Sequence, residues 1–257
     1  MRIGILAPIA WRIPPKGYGP WEYVAGTLAE ALVRKGHDVT LFAAGGSQTS
    51  ARLVSVCPRP LNEDRSLDPR FYEVIHIREC FAHASEFDVI HNHMNWLPLT
   101  YAGFVKTPVV TTLHGAALLE PLARQAFLHF RRFPCVAISE AERRGVPELN
   151  YLATVPNGID PNEFEFKERP GDYLAFLGRM SAAKGAHLAV ELAKRTGQKL
   201  VMAAYIPDDE RDYFESKIAP ELGGPIEFIG EVGPEARNQL LSNAKALIHL
   251  CTVPEPF

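Results

Sequence analysis

The sequence contains no apolar run approaching the roughly 18–20 residues that a membrane-spanning helix requires, so a transmembrane segment is not expected. It has four cysteines, Cys57, Cys80, Cys135 and Cys251, widely separated and without a C-x-x-C pair. That spacing argues against a disulfide framework or a cysteine-held zinc and fits reduced, buried thiols in a cytoplasmic protein. There is no strong charge of either sign: 27 basic residues stand against 30 acidic ones, for a net charge of −3. Nothing in that balance calls for nucleic acid as a partner. Neither a Walker loop nor a G-x-G-x-x-G fingerprint is present, and no repeat or low-complexity tract appears. The N-terminal MRIGILAPIAW resembles the start of a signal peptide, but no A-x-A-like cleavage site follows and the chain runs directly into a Pro/Gly loop. It reads as a first strand.

What is present is alternation. Strands are expected at Arg2–Ala7, Val39–Ala43, Val89–His91, Val109–Thr112 and Cys135–Ile138, with a helix over Trp21–Lys35 closed by Gly36. Continuous apolar runs separated by helices are what a parallel sheet covered on both faces requires. Between Pro156 and Asp172, prolines, an Asn-Gly turn and unpatterned charge read as a linker. Beyond it the alternation resumes, with strands at Tyr173–Leu177, Lys199–Ala203, Ile226–Ile229 and Ala246–Leu250. Helices are expected near Gly185–Arg195, Asp208–Lys217 and Pro234–Asn243. The chain is therefore expected to hold an α/β domain at 1–160, a linker or hinge at 161–172, and a shorter α/β domain at 173–257.

Several residues could carry chemistry. GRMSAAKG (Gly178–Gly185) joins a strand to a helix and offers Arg179 and Lys184 to an anion at a helix N-terminus. Two fixed cations could neutralise a diphosphate leaving group without a metal; the alternative is two solvated basic residues on a loop. In PPKGYGPWE, Gly17 and Gly19 could let backbone approach a phosphate, or could simply make a turn. LHG places His114 at a strand end, where it could orient a hydroxyl or phosphate, carry a proton, or be an ordinary edge residue. His91 and His93 alternate along a strand, but spacing supplies no third ligand, so no metal site is expected. Val253–Phe257 (VPEPF) follows the apolar ALIHL, which reads as a buried strand, and taken alone Glu255 reads as a surface carboxylate.

Taken in order, these pieces resemble the retaining glycosyltransferases of family 4: RIGILAP with a glycine loop, LAEALVRKGHDVTLFAAG, DVIHNH, PVVTTLHG, AISE, VPNGID, YLAFLGRMSAAKG, IEFIGEV and PEPF. The resemblance runs along essentially the whole chain. It implies the glycosyltransferase-B fold, two Rossmann-like domains facing across a cleft, here with the second domain incomplete. It also implies metal-independent transfer of a sugar from a UDP- or GDP-sugar to a glycan, lipid-linked or small-molecule acceptor, with retention at the anomeric carbon. By position, Arg179 and Lys184 would hold the donor diphosphate, Gly19 would approach it, and Val232 would meet the base through its backbone. His114 and Glu255 would be the candidate catalytic residues beside the transferred sugar.

Two departures stand out. Pro20 replaces the second glycine of the family loop and removes an N–H. The second glutamate of the family's E-x7-E pair would fall six residues beyond Phe257. The expectation is thus a chain whose donor domain is completed in cis or by a second polypeptide. The alternatives are a non-catalytic sugar- or nucleotide-binding subunit and a sugar-nucleotide enzyme of another kind, such as an epimerase. Peripheral association with a membrane remains compatible with a lipid acceptor, although no basic amphipathic helix announces it.

Overall fold

The computed structural model describes residues 1–257. They form two compact units: Met1–Pro15, Gly19–Ile159 and Glu255–Phe257 in the first, Lys16–Tyr18 and Asp160–Pro254 in the second.

The first unit runs β1 (Arg2–Leu6), α1 (Pro20–Arg34), β2 (Asp38–Phe42), β3 (Arg52–Val54), α2 (Pro69–Ala82), β4 (Val89–Asn92) and α3 (Leu99–Ala102). It continues with β5 (Val109–Thr112), α4 (Ala116–Leu119), α5 (Pro121–His129), β6 (Pro134–Ala137), α6 (Glu140–Gly145) and β7 (Asn150–Thr154). Its seven strands lie in the order β3-β2-β1-β4-β5-β6-β7, parallel throughout. Ile3 and Ile5 of β1 pack with Ala25 and Ala29 of α1 on one face. Leu6 points the other way, into a cluster containing Ile77, Phe81, Ile90 and Phe127. Burial on both faces is why these strands read as unbroken apolar runs. Each fully buried Ile or Leu contributes about 1.5–3 kcal/mol relative to exposure.

Capping chemistry sets the helix starts. Pro20 occupies the first turn of α1, where a missing N–H costs nothing. The Asp68 carboxylate accepts from the Phe71 N–H at the head of α2, and Ser139 Oγ accepts from the Glu142 N–H at the head of α6. The sequence reading named no element at β3, β7 or any of the helices α2 to α6. In α2 the apolar residues are split between surfaces, with Phe71 and Val74 exposed and Ile77, Cys80 and Phe81 buried, which blurs the helical period. Asp88 precedes β4 and ties it to β1, accepting from both the backbone N–H and the guanidinium of Arg2.

The second unit contains β8 (Tyr173–Arg179), α7 (Ala186–Thr196), β9 (Lys199–Tyr205), α8 (Arg211–Tyr213), β10 (Ile226–Phe228), α9 (Pro234–Ser242) and β11 (Ala244–Leu247). Its four strands are parallel in the order β10-β9-β8-β11. Leu174, Phe176, Leu200 and Met202 meet Ala189, Val190 and Ile218 on one face. Ala175, Val201 and Ala203 meet Leu240 on the other.

Two expectations are corrected here. The helix expected at Asp208–Lys217 is broken into a 3-10 turn at Asp208–Glu210, the single turn α8 and a π turn at Phe214–Ile218. A further 3-10 turn follows at Ala219–Glu221. The π turn buries Ile218 fully, and Pro220 has no N–H with which to continue a helical ladder. The buried strand expected at Ala246–Leu250 is instead β11, two residues earlier, at the sheet edge. It pairs with β8 alone, through a register shift between Ala244 and Ala246, and Leu247 is 51% exposed. No helix of the chain is long and apolar enough to cross a membrane. None of the four cysteines is in a disulfide; Cys57, Cys80 and Cys135 are buried and Cys251 is partly exposed.

Histidines His76, His93 and His114 are buried in the first unit and His91 is partly buried. Desolvation moves His76 and His91 down to about 4 and His114 to about 3, and holds His93 well below its ordinary value. An unfolded histidine titrates near pH 6.5. Between that pH and the folded values, the unfolded chain binds more protons, so stability falls as pH falls, by about 1.4 kcal/mol per pH unit for each histidine. Burial raises Glu22 to about 7, and raises Glu73 and Glu142. These carboxyls act in the opposite sense, above about pH 4.5. The expected net result is a thermal midpoint that drops from pH 7 to pH 5, with a shallower drop in His76→Gln. A midpoint that holds steady or rises from pH 7 to pH 5 in the parent chain would overturn this balance.

Candidate functional site

In the first unit the polar residues gather on the loops that leave the carboxyl ends of β4, β5 and β6. Asn92, fully buried at the end of β4, donates to Asn95 O (2.7 Å) and Thr111 Oγ1 (3.1 Å), while its carbonyl accepts from the Met94 N–H (2.8 Å). These bonds shape the turn that carries His93. His93 Nδ1 lies 2.9 Å from His114 Nε2, and His91 Nε2 lies 2.8 Å from Thr112 Oγ1. The His91 and His93 rings are 4.3 Å apart. The alternate pair seen in the sequence thus bonds to Thr112 and His114.

His114 sits just past β5 with φ 52°, a left-handed conformation that costs a non-glycine residue of order 1 kcal/mol or more. Three neighbours hold it there. The Trp21 ring stacks on its imidazole at 5.4 Å. His93 bonds its Nε2. Glu142, buried in α6, accepts from the Gly115 N–H through Oε1 (2.5 Å) and from the Ile138 N–H through Oε2 (2.8 Å). The two N–H bonds offset part of the desolvation, which still leaves this carboxyl raised. With its pKa lowered to about 3 by burial and then by the neighbouring His91, the His114 imidazole is neutral near pH 7. It is therefore suited to hydrogen bonding and ill suited to carrying a proton.

The loop between β1 and α1 is also pinned from within. The Glu22 carboxylate accepts from the Trp11 N–H (3.1 Å), and Ser47 Oγ accepts from the Ile13 N–H (2.9 Å). Gly19 caps α1 with φ 147°, and a Cβ there would lie 2.8 Å from the Pro15 side chain. Only glycine meets both demands. Of the seven residues singled out in the sequence, Gly19, His114 and Glu255 fall in this unit. Beside Glu255, the buried Pro256 accepts from the Ser139 hydroxyl through its carbonyl and closes over Gly115.

Gly17, Arg179, Lys184 and Val232 fall in the second unit. Arg179 ends β8, exposed, and its guanidinium has no ion-pair or hydrogen-bond partner in the chain. The following turn is closed by several hydrogen bonds. Buried Ser181 accepts from the Lys184 N–H (3.2 Å), the Gly185 N–H donates to Ala182 O (3.0 Å), and Ala183 O accepts from Thr252 (2.9 Å). Gly185 has φ 71° at the start of α7, and a Cβ there would lie 2.0 Å from Leu250 O. Arg179 and Lys184 thus bracket the turn that leads from β8 into the N-terminus of α7. Val232 is partly buried against Ala175, Val201, Ala203 and Leu240. Gly17 belongs to a different setting: the Tyr18 N–H donates to Glu231 Oε1 (2.6 Å), and a Cβ on Gly17 would lie 2.3 Å from that same oxygen. That oxygen is the far end of an exposed, flexible side chain, so the contact does not by itself demand glycine.

Trp21, Asn92 and Glu142 were not singled out in the sequence. Only Glu142 left a signal there. Ser139-x-x-Glu142 has the form of a capping box, and Ser139 does cap α6. The glutamate, however, turns to Ile138 and Gly115 instead of the cap N–H.

Comparison with known proteins agrees with this architecture. The chain is 23% identical to an uncharacterized glycosyltransferase of Methanocaldococcus jannaschii, over 98% of this chain and 75% of that one. It superposes on AviGT4, a glycosyltransferase involved in avilamycin A biosynthesis, with a TM-score of 0.66 and 24% identity, covering 98% of this chain and 70% of the other. It also superposes on a UDP-N-acetylglucosamine 2-epimerase from Rickettsia bellii with a TM-score of 0.59 and 11% identity, covering 95% and 72%. At these identities the structural likenesses speak for fold: two Rossmann-like α/β units of the glycosyltransferase-B kind, the second with the smaller sheet. Residues 22–163, more than half of the sequence, match the family described as Glycosyltransferase Family 4, and the chain belongs to that family.

Proposed function

We propose that this chain transfers a sugar from a UDP- or GDP-sugar to a hydroxyl-bearing acceptor with retention of anomeric configuration. Family and fold support the broader statement, glycosyl transfer from a nucleotide-diphosphate sugar. The observation that carries the finer reading is the Gly178–Gly185 turn, with an exposed, unpartnered Arg179 at the end of β8 and Lys184 at the head of α7. In this reading the two cations and the α7 N-terminus neutralise charge on the departing diphosphate, where fixed positive groups act without reorganising. Val232 offers backbone to the base, and Gly17 and Gly19 shape the loop on the phosphate side. Glu255 hydrogen-bonds the transferred sugar, and His114, neutral and held from three sides, orients a sugar or acceptor hydroxyl.

Two measurements test this. Calorimetric titration with UDP and GDP, against uridine and guanosine, should show Arg179→Ala or Lys184→Ala weakening the diphosphates by about ten- to a hundredfold, the worth of a charge-assisted bond. The nucleosides should be unaffected. Unchanged diphosphate affinity in both variants removes the pair from this role. His114→Ala should lower transfer at least about tenfold while leaving donor affinity within about twofold, and proton NMR of the product reports its anomeric configuration. Nucleotide binding with neither transfer nor hydrolysis in the parent chain would favour the non-catalytic, binding-subunit reading.

A further inference from the structure

We infer that His93 is a positioning residue that fixes the tautomer of His114, so that His114 meets its substrate as an Nδ1–H donor. This rests on the reading of His114 as a substrate-contacting residue. The argument begins with one shared proton. His93 Nδ1 and His114 Nε2 are 2.9 Å apart, and both rings are buried, 1% and 6% exposed. Burial keeps both neutral, so each ring carries a single N–H and exactly one of the two facing nitrogens supplies the hydrogen.

Two arrangements satisfy that contact. In one, His114 Nε2–H donates to His93 Nδ1, which forces the His93 proton onto its own Nε2. That atom is buried without a partner, so the arrangement strands an N–H donor in the core. In the other, His93 Nδ1–H donates to His114 Nε2, and the atom stranded on His93 is a bare lone pair. Orphaned buried N–H groups are rarer and costlier than under-satisfied acceptors. The second arrangement wins, and it places the His114 proton on Nδ1, the ring nitrogen with no bonding partner in the chain.

The surroundings reinforce this assignment. His91 directs its own Nε2 to Thr112 and does not compete for either nitrogen of the pair. Asn92 holds the turn that carries His93. Trp21 covers a face of the His114 ring, and Glu142 fixes the peptide that follows it. Ring plane, backbone and tautomer are therefore each set by a different neighbour. The chemistry that follows is specific: His114 gives a hydrogen bond to a substrate oxygen and does not accept a proton from one.

Long-range proton–nitrogen correlation spectra of the full chain with 15N-labelled histidine read the tautomer directly, the His114 signals being identified by their loss in His114→Gln. The expected spectrum has His114 protonated at Nδ1 and bare at Nε2; a protonated Nε2 overturns the inference. In His93→Phe, which keeps a ring but no donor, His114 should revert to the Nε2–H form, and kcat should fall about tenfold with KM for the donor little changed. His93→Asn, whose amide can still donate, should restore most of both. If His93→Phe does not fold, the parent spectrum and the Asn variant still decide the question. A tautomer that switches while turnover stays constant supports the role of His93 and removes His114 from the substrate, so the two readings fail separately.

Discussion

Parallel strand pairing is the constraint on which everything else in this molecule depends. A parallel ladder makes every strand start from the same end, so each connection must cross back, and all the carboxyl ends open on one edge of their sheet. In the first sheet that edge collects the loops after β1, β4, β5 and β6. It thereby assembles Trp21, His93, His114 and Glu142, which are spread over about half of the chain. In the second sheet the same rule sets the Arg179–Gly185 turn at the end of β8.

Placing polar groups at such an edge has an energetic cost, and the first unit meets it by mutual satisfaction. Glu142 is fully buried, yet both of its oxygens accept backbone N–H groups. Asn92 is fully buried and uses its amide nitrogen twice and its oxygen once. Left unpaired, each such group would cost about 1–3 kcal/mol. The histidines follow another route and give up their charge, since a neutral imidazole is far cheaper to bury than an imidazolium. The strained backbone at His114 is tolerated because side chains on three other elements over-determine it.

Much of the architecture was legible in the residues. Val109–Thr112 coincides with β5, and the strands over Val39–Ala43 and Cys135–Ile138 appear within one residue of their expected limits, because a strand buried on both faces advertises itself as a short β-branched run. Elements with divided exposure were not legible. In α2, exposed Phe71 and Val74 hide the period. In ALIHL, an apolar composition suggested burial, yet the strand lies at an edge and its last residue, Leu247, is half exposed. Apolar composition reports a preference for burial, whereas position in the sheet decides whether that burial is available.

The site divides in the same way. The candidates Arg179, Lys184 and His114 could be picked from the sequence, since each lies at or after the carboxyl end of a strand and has a residue type suited to the chemistry proposed for it. Glu142 and Trp21 could not, because their relation to His114 is a contact across the sheet edge that no local spacing encodes. The sequence by itself determined the alternation of strands and helices, the two α/β units, and which side chains could meet an anion or a hydroxyl. These follow from local residue type and period. Only the tertiary structure decided that His114 is neutral, left-handed and clamped, and that His93 supplies its hydrogen-bond partner. Burial, charge state and tautomer depend on which distant groups are packed alongside, and only the folded sheet brings those groups together.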